Sequence, residues 1–430
     1  MPQSWLHALS VYRDRRVLAI LALGVASGLP LLLTLSTLSA WLATEGVRKA
    51  SIGLFAAVGL PYSLKFLWSP LIDGLPPPLF AHLGQRRGWA ILIQLLLMAA
   101  IVALGSLTPK EAPAATAVLA LLVAFLSASQ DIVIDAYRVE ILSPEEQGPG
   151  AAMIQTGYRL GLLIAGAGAL YIADAFGWHA AYYVIALLVA VGSITILANP
   201  EPAPERRRTS AARGPAPPFA AWARDHVLAP FADFMRRPHW LAILLFILLY
   251  KLGDAVAGVM ANPLYIGLGF SLSEIASVSK VFGFFATLLG ALVGGLMVTR
   301  LGLFPSLLIC GIAQSAANLM YALQAVAGHD MAMLALTIAI ENVTGGMGSA
   351  ALVAYLSGLC SRGYTATQYA LLSSLATVGR TLIASLSGIL AEELGWVAFF
   401  TAATFLGVPG LLALVWLMQR ERAATAAAVR

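Results

Sequence analysis

The feature that most constrains this chain is the recurrence of apolar runs, each long enough to cross a bilayer as a helix. Twelve can be read, at about 17–43, 51–72, 88–107, 115–141, 149–174, 178–198, 239–264, 272–298, 303–324, 331–360, 366–391 and 394–418. Between the sixth and seventh lies a polar stretch, Asn199–Arg237, with Pro200, Pro202, Pro204, the run Arg206-Arg207-Arg208 and a second proline group at Pro215, Pro217 and Pro218. Such a composition predicts a linker, with room for a short amphipathic helix over 219–235. The expected fold is therefore an all-α membrane protein in three parts. These are a six-helix half over 1–198, a linker over 199–238, and a six-helix half over 239–430 that ends in a short tail. Composition agrees: 60% of residues are hydrophobic and 11% charged, against about 25% charged in soluble domains.

Lysine and arginine placement predicts orientation. One set of loops receives Arg13, Arg15, Arg16, Arg86, Arg87, Arg138, seven arginines of the linker, Arg300, Arg362 and three tail arginines. The other set receives Arg48, Lys49 and Lys110. Positive loops stay inside, so both termini and the linker are expected in the cytoplasm. The net charge of +5 is thereby a membrane-topology signal and implies no nucleic-acid partner. Cys310 and Cys360 lie in or at the end of apolar runs and suggest neither a disulfide framework nor a metal site. There is no Gly-x-Ser-x-Gly, no His-Glu-x-x-His and no phosphate-cradling glycine loop. The expectation is a carrier without cofactor or metal, not an enzyme, acting as a monomer in the bilayer.

Ionisable residues inside apolar spans are costly, and they usually face a bundle interior or water. The fourth span runs into Gln130, Asp131, Asp135, Arg138 and Glu140. Asp131, Asp135 and Arg138 fall at i, i+4 and i+7 and so share one helix face. Arg138 and Glu140 read as a helix end nearing the headgroups, whereas Asp131 lies about 15 Å deeper. Lys65 falls at similar depth, within reach of Asp131 by depth alone, so the two could pair. Lys251 and Asp254 are i, i+3 neighbours; Arg159, Lys280, Glu341 and Arg380 are also embedded. Asp131, Asp135, Asp254 and Glu341 are the candidates for carrying a coupling proton, Asp131 first. Tyr62, Lys65, Gln130, Tyr158, Arg159, Lys251, Lys280, Asn342 and Arg380 are the candidates for holding a polar substrate.

The two halves carry matching landmarks: Ala136-Tyr137, Arg159 and Gly177-Trp178 against Ala354-Tyr355, Arg380 and Gly395-Trp396. Paired six-helix repeats around a central site are a transporter architecture. Pro30, Pro61 and Pro263 predict bent helices.

Several stretches together resemble the AmpG-type muropeptide permeases of the major facilitator superfamily. They are Ser27-Gly-Leu-Pro-Leu31, Pro61-Tyr-Ser-Leu-Lys-Phe-Leu-Trp-Ser-Pro-Leu-Ile-Asp73, Gln85-Arg-Arg-Gly-Trp89, Ala128-Ser-Gln-Asp-Ile-Val-Ile-Asp-Ala-Tyr-Arg138 and Gly157-Tyr-Arg-Leu-Gly161. In the second half they are Tyr250-Lys-Leu-Gly-Asp254, Glu341-Asn-Val-Thr-Gly-Gly-Met-Gly348, Ala366-Thr-Gln-Tyr-Ala-Leu371 and Val378-Gly-Arg380. The resemblance implies a twelve-helix major facilitator fold of two six-helix pseudo-repeats in the bacterial inner membrane. It also implies proton-coupled import of anhydromuropeptides for peptidoglycan recycling, with a link in some bacteria to β-lactamase induction. Gln130, Asp131 and Asp135 are then functionally sensitive positions. One departure is that Asp73-Gly74 is separated from Arg86-Arg87-Gly88 by an insertion with Pro76, Pro77 and Pro78, which puts the superfamily's gating contact in doubt. The alternative is a carrier of another bulky polar solute, such as an acyl-CoA, a peptide or a drug; a membrane enzyme or sensor fits the repeats less well.

Overall fold

The computed structural model describes residues 11–45, 58–202, 224–275, 278, 282–361, 363–384 and 387–428. Every regular element among them is a helix. They gather into two compact units. The N-terminal unit holds Tyr12–Ala232 with the later segment Ser357–Ser374, and the C-terminal unit is built from Asp233–Leu356 and Leu375–Arg430. Ten helices among the described residues are long and apolar enough to cross a membrane. Of the twelve expected segments, 51–72 begins outside the described residues, and 366–391 is shared between two helices.

In the N-terminal unit, α1 (Arg15–Thr34) is capped by Asp14, whose carboxylate accepts the Arg16 N–H at 2.8 Å. That bond, with the Arg16 guanidinium beside it, holds the Asp14 carboxyl below its usual range. Leu35 breaks the helix before α2 (Ser36–Thr44). Pro30 inside α1 has no N–H to give to Ala26 O, four residues back. A side chain from another helix takes that carbonyl instead: Gln130 Nε2 donates to it at 2.9 Å. Then come α3 (Leu60–Leu64), a 3₁₀ turn at Lys65–Leu67 and α4 (Ser69–Gly74). The long helices α5 (Gln85–Gly105) and α6 (Pro113–Ile141) follow. Next, α7 (Gln147–Leu163) passes through a π turn, Ile164–Gly168, into α8 (Ala169–Phe176) and α9 (Trp178–Ala198). The π turn loosens the backbone ladder, and Thr37 Oγ1 donates to its Ala165 O at 2.8 Å.

The glycines of α1 and α7 explain their packing. A methyl group on Gly28 would strike the Tyr158 carbonyl, one on Gly157 the Leu21 carbonyl, and one on Gly161 the Val25 carbonyl. Each helical glycine costs about 0.5–1 kcal/mol relative to alanine. Direct backbone approach is what offsets that cost within a membrane.

The linker is anchored where it leaves α9. Glu201 accepts the Arg86 and Arg87 N–H groups with its two carboxylate oxygens, both at 2.9 Å. It thus caps the start of α5 from a distant part of the chain, where the helix has unsatisfied N–H groups. Tyr137 Oη donates to Pro200 O at 2.9 Å beside it. The expected linker helix is present in its last part as a π turn at Arg224–Leu228 and α10 (Ala229–Met235); residues 203–223 lie outside the described set.

The C-terminal unit contains α11 (Trp240–Leu249), α12 (Leu252–Gly267), α13 (Leu272–Ile275), α14 (Gly283–Leu301) and α15 (Leu303–Ala327). The rest is α16 (Met331–Gly358), α17 (Thr365–Ala384), α18 (Ser387–Leu406) and α19 (Val408–Ala428). The first ends of α17 and the last residues of α16 belong to the N-terminal unit. Here the tight glycine contact joins a different pair of helices. A methyl group on Gly290 of α14 would strike the Val343 carbonyl of α16, and one on Gly346 the Thr287 carbonyl.

The repeat expected from sequence reappears in the backbone. Gly84 and Gly302 have φ of 102° and 86°, and each precedes a long helix. Gly177 and Gly395, at 85° and 70°, mark a second matching pair of junctions. Both pairs are separated by the same interval as Tyr137 and Tyr355. A positive φ is a conformation that glycine adopts without the cost other residues bear.

Candidate functional site

In the N-terminal unit the polar face of α6 gathers partners from three other stretches. Asp131 accepts a hydrogen bond from Ser27 Oγ of α1 at 2.5 Å. Lys65, at the 3₁₀ turn between α3 and α4, places its Nζ 3.7 Å from Asp135. The short ion pair is thus with Asp135, while Lys65 acts on Asp131 from beyond ion-pair distance, because depth in a span fixes height but not the direction in which a side chain leaves its helix. Asp135 is also 3.7 Å from Arg138, one turn along α6. It therefore stands between two cations. Tyr62 and Tyr158 share the electrostatic neighbourhood of Asp131, and Arg159 acts on Tyr158. The Tyr62 hydroxyl is buried beside Ser127 and Thr34. Gln130 is wholly buried and spends its amide N–H on the carbonyl freed by Pro30. Asp131, Asp135 and Lys65 each keep a partly exposed surface.

Arg138 was expected to approach the headgroups, together with Glu140. Both side chains are instead buried. Arg138 Nη1 donates to Ser357 Oγ at 2.8 Å, and its guanidinium lies 5.1 Å above the centre of the Tyr369 ring. Glu140 pairs with Arg86 at 2.5 Å, and Arg86 pairs with Asp73 at 2.7 Å. Asp73 in turn accepts the Thr367 N–H at 2.7 Å and the Thr367 hydroxyl at 2.8 Å, at the start of α17. The proline insertion does not keep Asp73 and Arg86 apart, since the intervening loop folds back on itself. Gln85 Nε2 donates to Ile72 O at 2.8 Å and to Leu75 O at 2.6 Å, and Trp89 Nε1 donates to Leu75 O at 2.9 Å. A buried arginine shared by two carboxylates is sound only because every member is paired.

The C-terminal unit presents a different cluster. The chain breaks at Tyr250–Lys251, between α11 and α12. Lys251 at that break reaches α16, donating to Ser349 Oγ at 2.7 Å and Gly345 O at 3.3 Å, and it lies 3.5 Å from Asp254. Asn342 is held within the unit, accepting from Thr287 Oγ1 at 2.7 Å and donating to Ile338 O at 2.9 Å. Glu341 lies in the electrostatic neighbourhood of Tyr265 and Tyr321. Lys280 lies outside the described residues, as does the Arg380 side chain. Sequence reasoning did not single out Ser27, Ser349, Ser357 or Thr367.

No described group of three or more His, Cys, Asp or Glu side chains could hold a metal ion. Broken helices with paired charges inside apolar spans are the working parts of a secondary transporter. The profile of the Major Facilitator Superfamily matches residues 17–275 and 243–429. Among solved structures, the human organic anion transporter MFSD10 (TETRAN) aligns with TM-score 0.67 at 18% identity, covering 93% of this chain and 99% of that one. The proton:xylose symporter XylE aligns with TM-score 0.65 at 12% identity, covering 96% and 95%. At such low identity these likenesses speak for the fold alone. In sequence, the anhydromuropeptide permease of Escherichia coli (strain K12) is 42% identical over 409 residues, 95% of this chain and 80% of that protein. The putative transporter AmpG 4 of Rickettsia conorii is 37% identical over 409 residues, 95% of this chain and 97% of the relative. The chain belongs to the major facilitator superfamily and, within it, to the AmpG-type muropeptide permeases. It is a multi-pass membrane transporter and not an enzyme.

Proposed function

We propose that this protein imports anhydromuropeptides across the bacterial inner membrane into the cytoplasm, driven by protons, with Asp131 as the group that takes up and releases the proton. The substrate class rests on the 42% identity to an anhydromuropeptide permease. The direction of orientation rests on the arginine-rich loops, which put both termini and the linker inside. The observation that carries the coupling is the placement of Asp131. It is held by a neutral hydroxyl, Ser27, and lies one turn from Asp135, which the two cations Lys65 and Arg138 already neutralise. An acid hydrogen-bonded to a neutral hydroxyl, with Lys65 acting on it only from beyond ion-pair distance, changes protonation at less cost to a buried cation than Asp135, which pairs directly with two. Arg138 then relays the electrostatic state of this face to Ser357 and Tyr369, on the segment that leads into α17. The partly exposed pair Lys65–Asp135 and the partly exposed Asp254 beside the buried Lys251 offer charges of both signs to the peptide of a muropeptide.

The test is uptake of labelled anhydromuropeptide into inverted and right-side-out membrane vesicles, with and without a protonophore. Accumulation that needs the pH gradient, is lost in Asp131→Asn and leaves counterflow exchange intact is the expected result. Gradient-driven accumulation by Asp131→Asn would move the coupling role to Asp254 or Glu341. Uptake indifferent to the protonophore would remove proton coupling altogether.

A further inference from the structure

In the C-terminal unit, α15 carries two amides that none of the chemistry above uses. Gln314 and Asn318 are one helical turn apart and share a face. They are 3% and 1% exposed. Neither the oxygen nor the nitrogen of either side chain has a hydrogen-bond partner. Two buried amides left open in this way carry an uncompensated desolvation cost at four polar atoms, and buried polar groups in native proteins are normally answered by protein or by ordered water.

Glycines on the facing helices receive them. Gln314 Oε1 lies over Gly348 of α16, where a methyl group would collide with it, and Asn318 Nδ2 lies 3.3 Å from the position a Cβ would take on Gly253 of α12. Tyr250, at the break before α12, borders the same space; its hydroxyl donates to Leu307 O at 2.9 Å and keeps its lone pairs free to accept. The lining offers acceptors and donors in balance, carries no net charge among these side chains and is enclosed by packed helices. A buried water needs two to four polar partners, and Gln314, Asn318 and Tyr250 supply that number.

We propose that Gln314 and Asn318 hold ordered water between α12, α15 and α16, a hydrated seat beside the helix break at Tyr250–Lys251. Lys251 grips Gly345 and Ser349 on the same stretch of α16 that Gln314 covers at Gly348. Water in the seat gives α12 exchangeable hydrogen-bond partners, so the helix can shift against α15 without leaving an amide stranded.

The experiment is X-ray hydroxyl-radical footprinting of the full-length protein, with a mixing step into ¹⁸O-labelled water. Radicals formed from bound water oxidise the nearest aromatic ring even where bulk solvent does not reach. Tyr250, 4% exposed, is the reporter, and Tyr182, 0% exposed with its hydroxyl on Leu33 O, is the dry control. The expected result is several-fold faster oxidation of Tyr250 than of Tyr182, with delayed uptake of the heavy isotope, and loss of that excess in the double variant Gln314→Met, Asn318→Leu. Equal oxidation of the two tyrosines in the unaltered protein would overturn the proposal, and so would an excess that survives in the double variant. Should the double variant fail to fold, the Tyr250–Tyr182 comparison in the unaltered protein still decides.

Discussion

The polar face of α6 in the N-terminal unit and its counterpart on α16 in the C-terminal unit share a fold and little chemistry. The interval that carries Tyr137 to Tyr355 also carries Gln130, Asp131, Asp135 and Arg138 to Gly348, Ser349, Val353 and Leu356. An amide, two acids and an arginine become a notch, a hydroxyl and two apolar side chains. In the N-terminal unit the charge sits on an unbroken 29-residue helix and reaches towards a turn that bears Lys65. In the C-terminal unit the charge sits at the break itself, and Lys251 reaches towards the long helix, where Ser349 receives it. Even the amide that meets the first helix of the repeat has moved. Gln130 comes from α6 and closes on a freed carbonyl, while the place of its counterpart at Gly348 is covered by Gln314 from α15. Duplication thus preserved the scaffold, and the acids at the positions of Asp131 and Asp135 are present on only one of the two equivalent helices, where α16 carries its acid elsewhere, at Glu341.

The largest effect that could break this comparison is functional. Asp131→Asn should abolish gradient-driven accumulation in vesicles, and adding Ser349→Asp should not restore it, because the acid would then face Lys251 and be neutralised. Rescue by Ser349→Asp would mean that the two faces are interchangeable. Next, Arg86→Met leaves Asp73 and Glu140 buried without their cation, and removing one partner of a buried ionic group costs about 3–5 kcal/mol. Thermal unfolding in detergent should show a large drop in midpoint. A midpoint near that of the unaltered protein would mean that the arginine holds no net stabilisation.

A smaller effect concerns the glycine contacts, which join α1 to α7 in one unit and α14 to α16 in the other. Gly157→Ala and Gly346→Ala should each destabilise by about 1–3 kcal/mol, as overpacking does. Unfolding midpoints that fall for only one of them would show that just one contact is tight in the membrane. An effect of similar size is expected at the kink. Gln130→Leu leaves Ala26 O without its donor, at a cost of about 1–3 kcal/mol. Pro30→Ala in the same chain returns a backbone N–H to that carbonyl and should recover part of the loss. No recovery in unfolding midpoint would detach Gln130 from the kink.

The spans and the embedded charges were legible because each is a local property: length, or an ionisable residue where apolar ones prevail. The pairs Lys251–Asp254 and Asp135–Arg138 were legible too, since i, i+3 spacing places both members on one helix face. The partner of Lys65 was not. That residue begins a 3₁₀ turn, where side chains leave the axis at angles an α-helical count does not give. The meeting of Asp73 with Arg86 was hidden by a loop whose return depends on side-chain to backbone bonds from Gln85 and Trp89. Burial of Arg138 depends on Ser357 and Tyr369, more than two hundred residues further along the chain, and no local pattern announces such a contact.

The anchoring of Glu201 on α5 has a practical consequence for dissecting the protein as two co-expressed fragments. Hydropathy alone would put the split point just after Ala198, where the sixth apolar run ends. A first fragment ending there would lose both the carboxylate that receives the Arg86 and Arg87 N–H groups and the carbonyl that receives the Tyr137 hydroxyl. The helix of its third apolar run, α5, would then begin uncapped, and any failure to reassemble would be misassigned to severed communication between fragments. A split placed beyond Pro202 keeps these contacts with the fragment that uses them, so reassembly assays report on the linker and not on a damaged helix start.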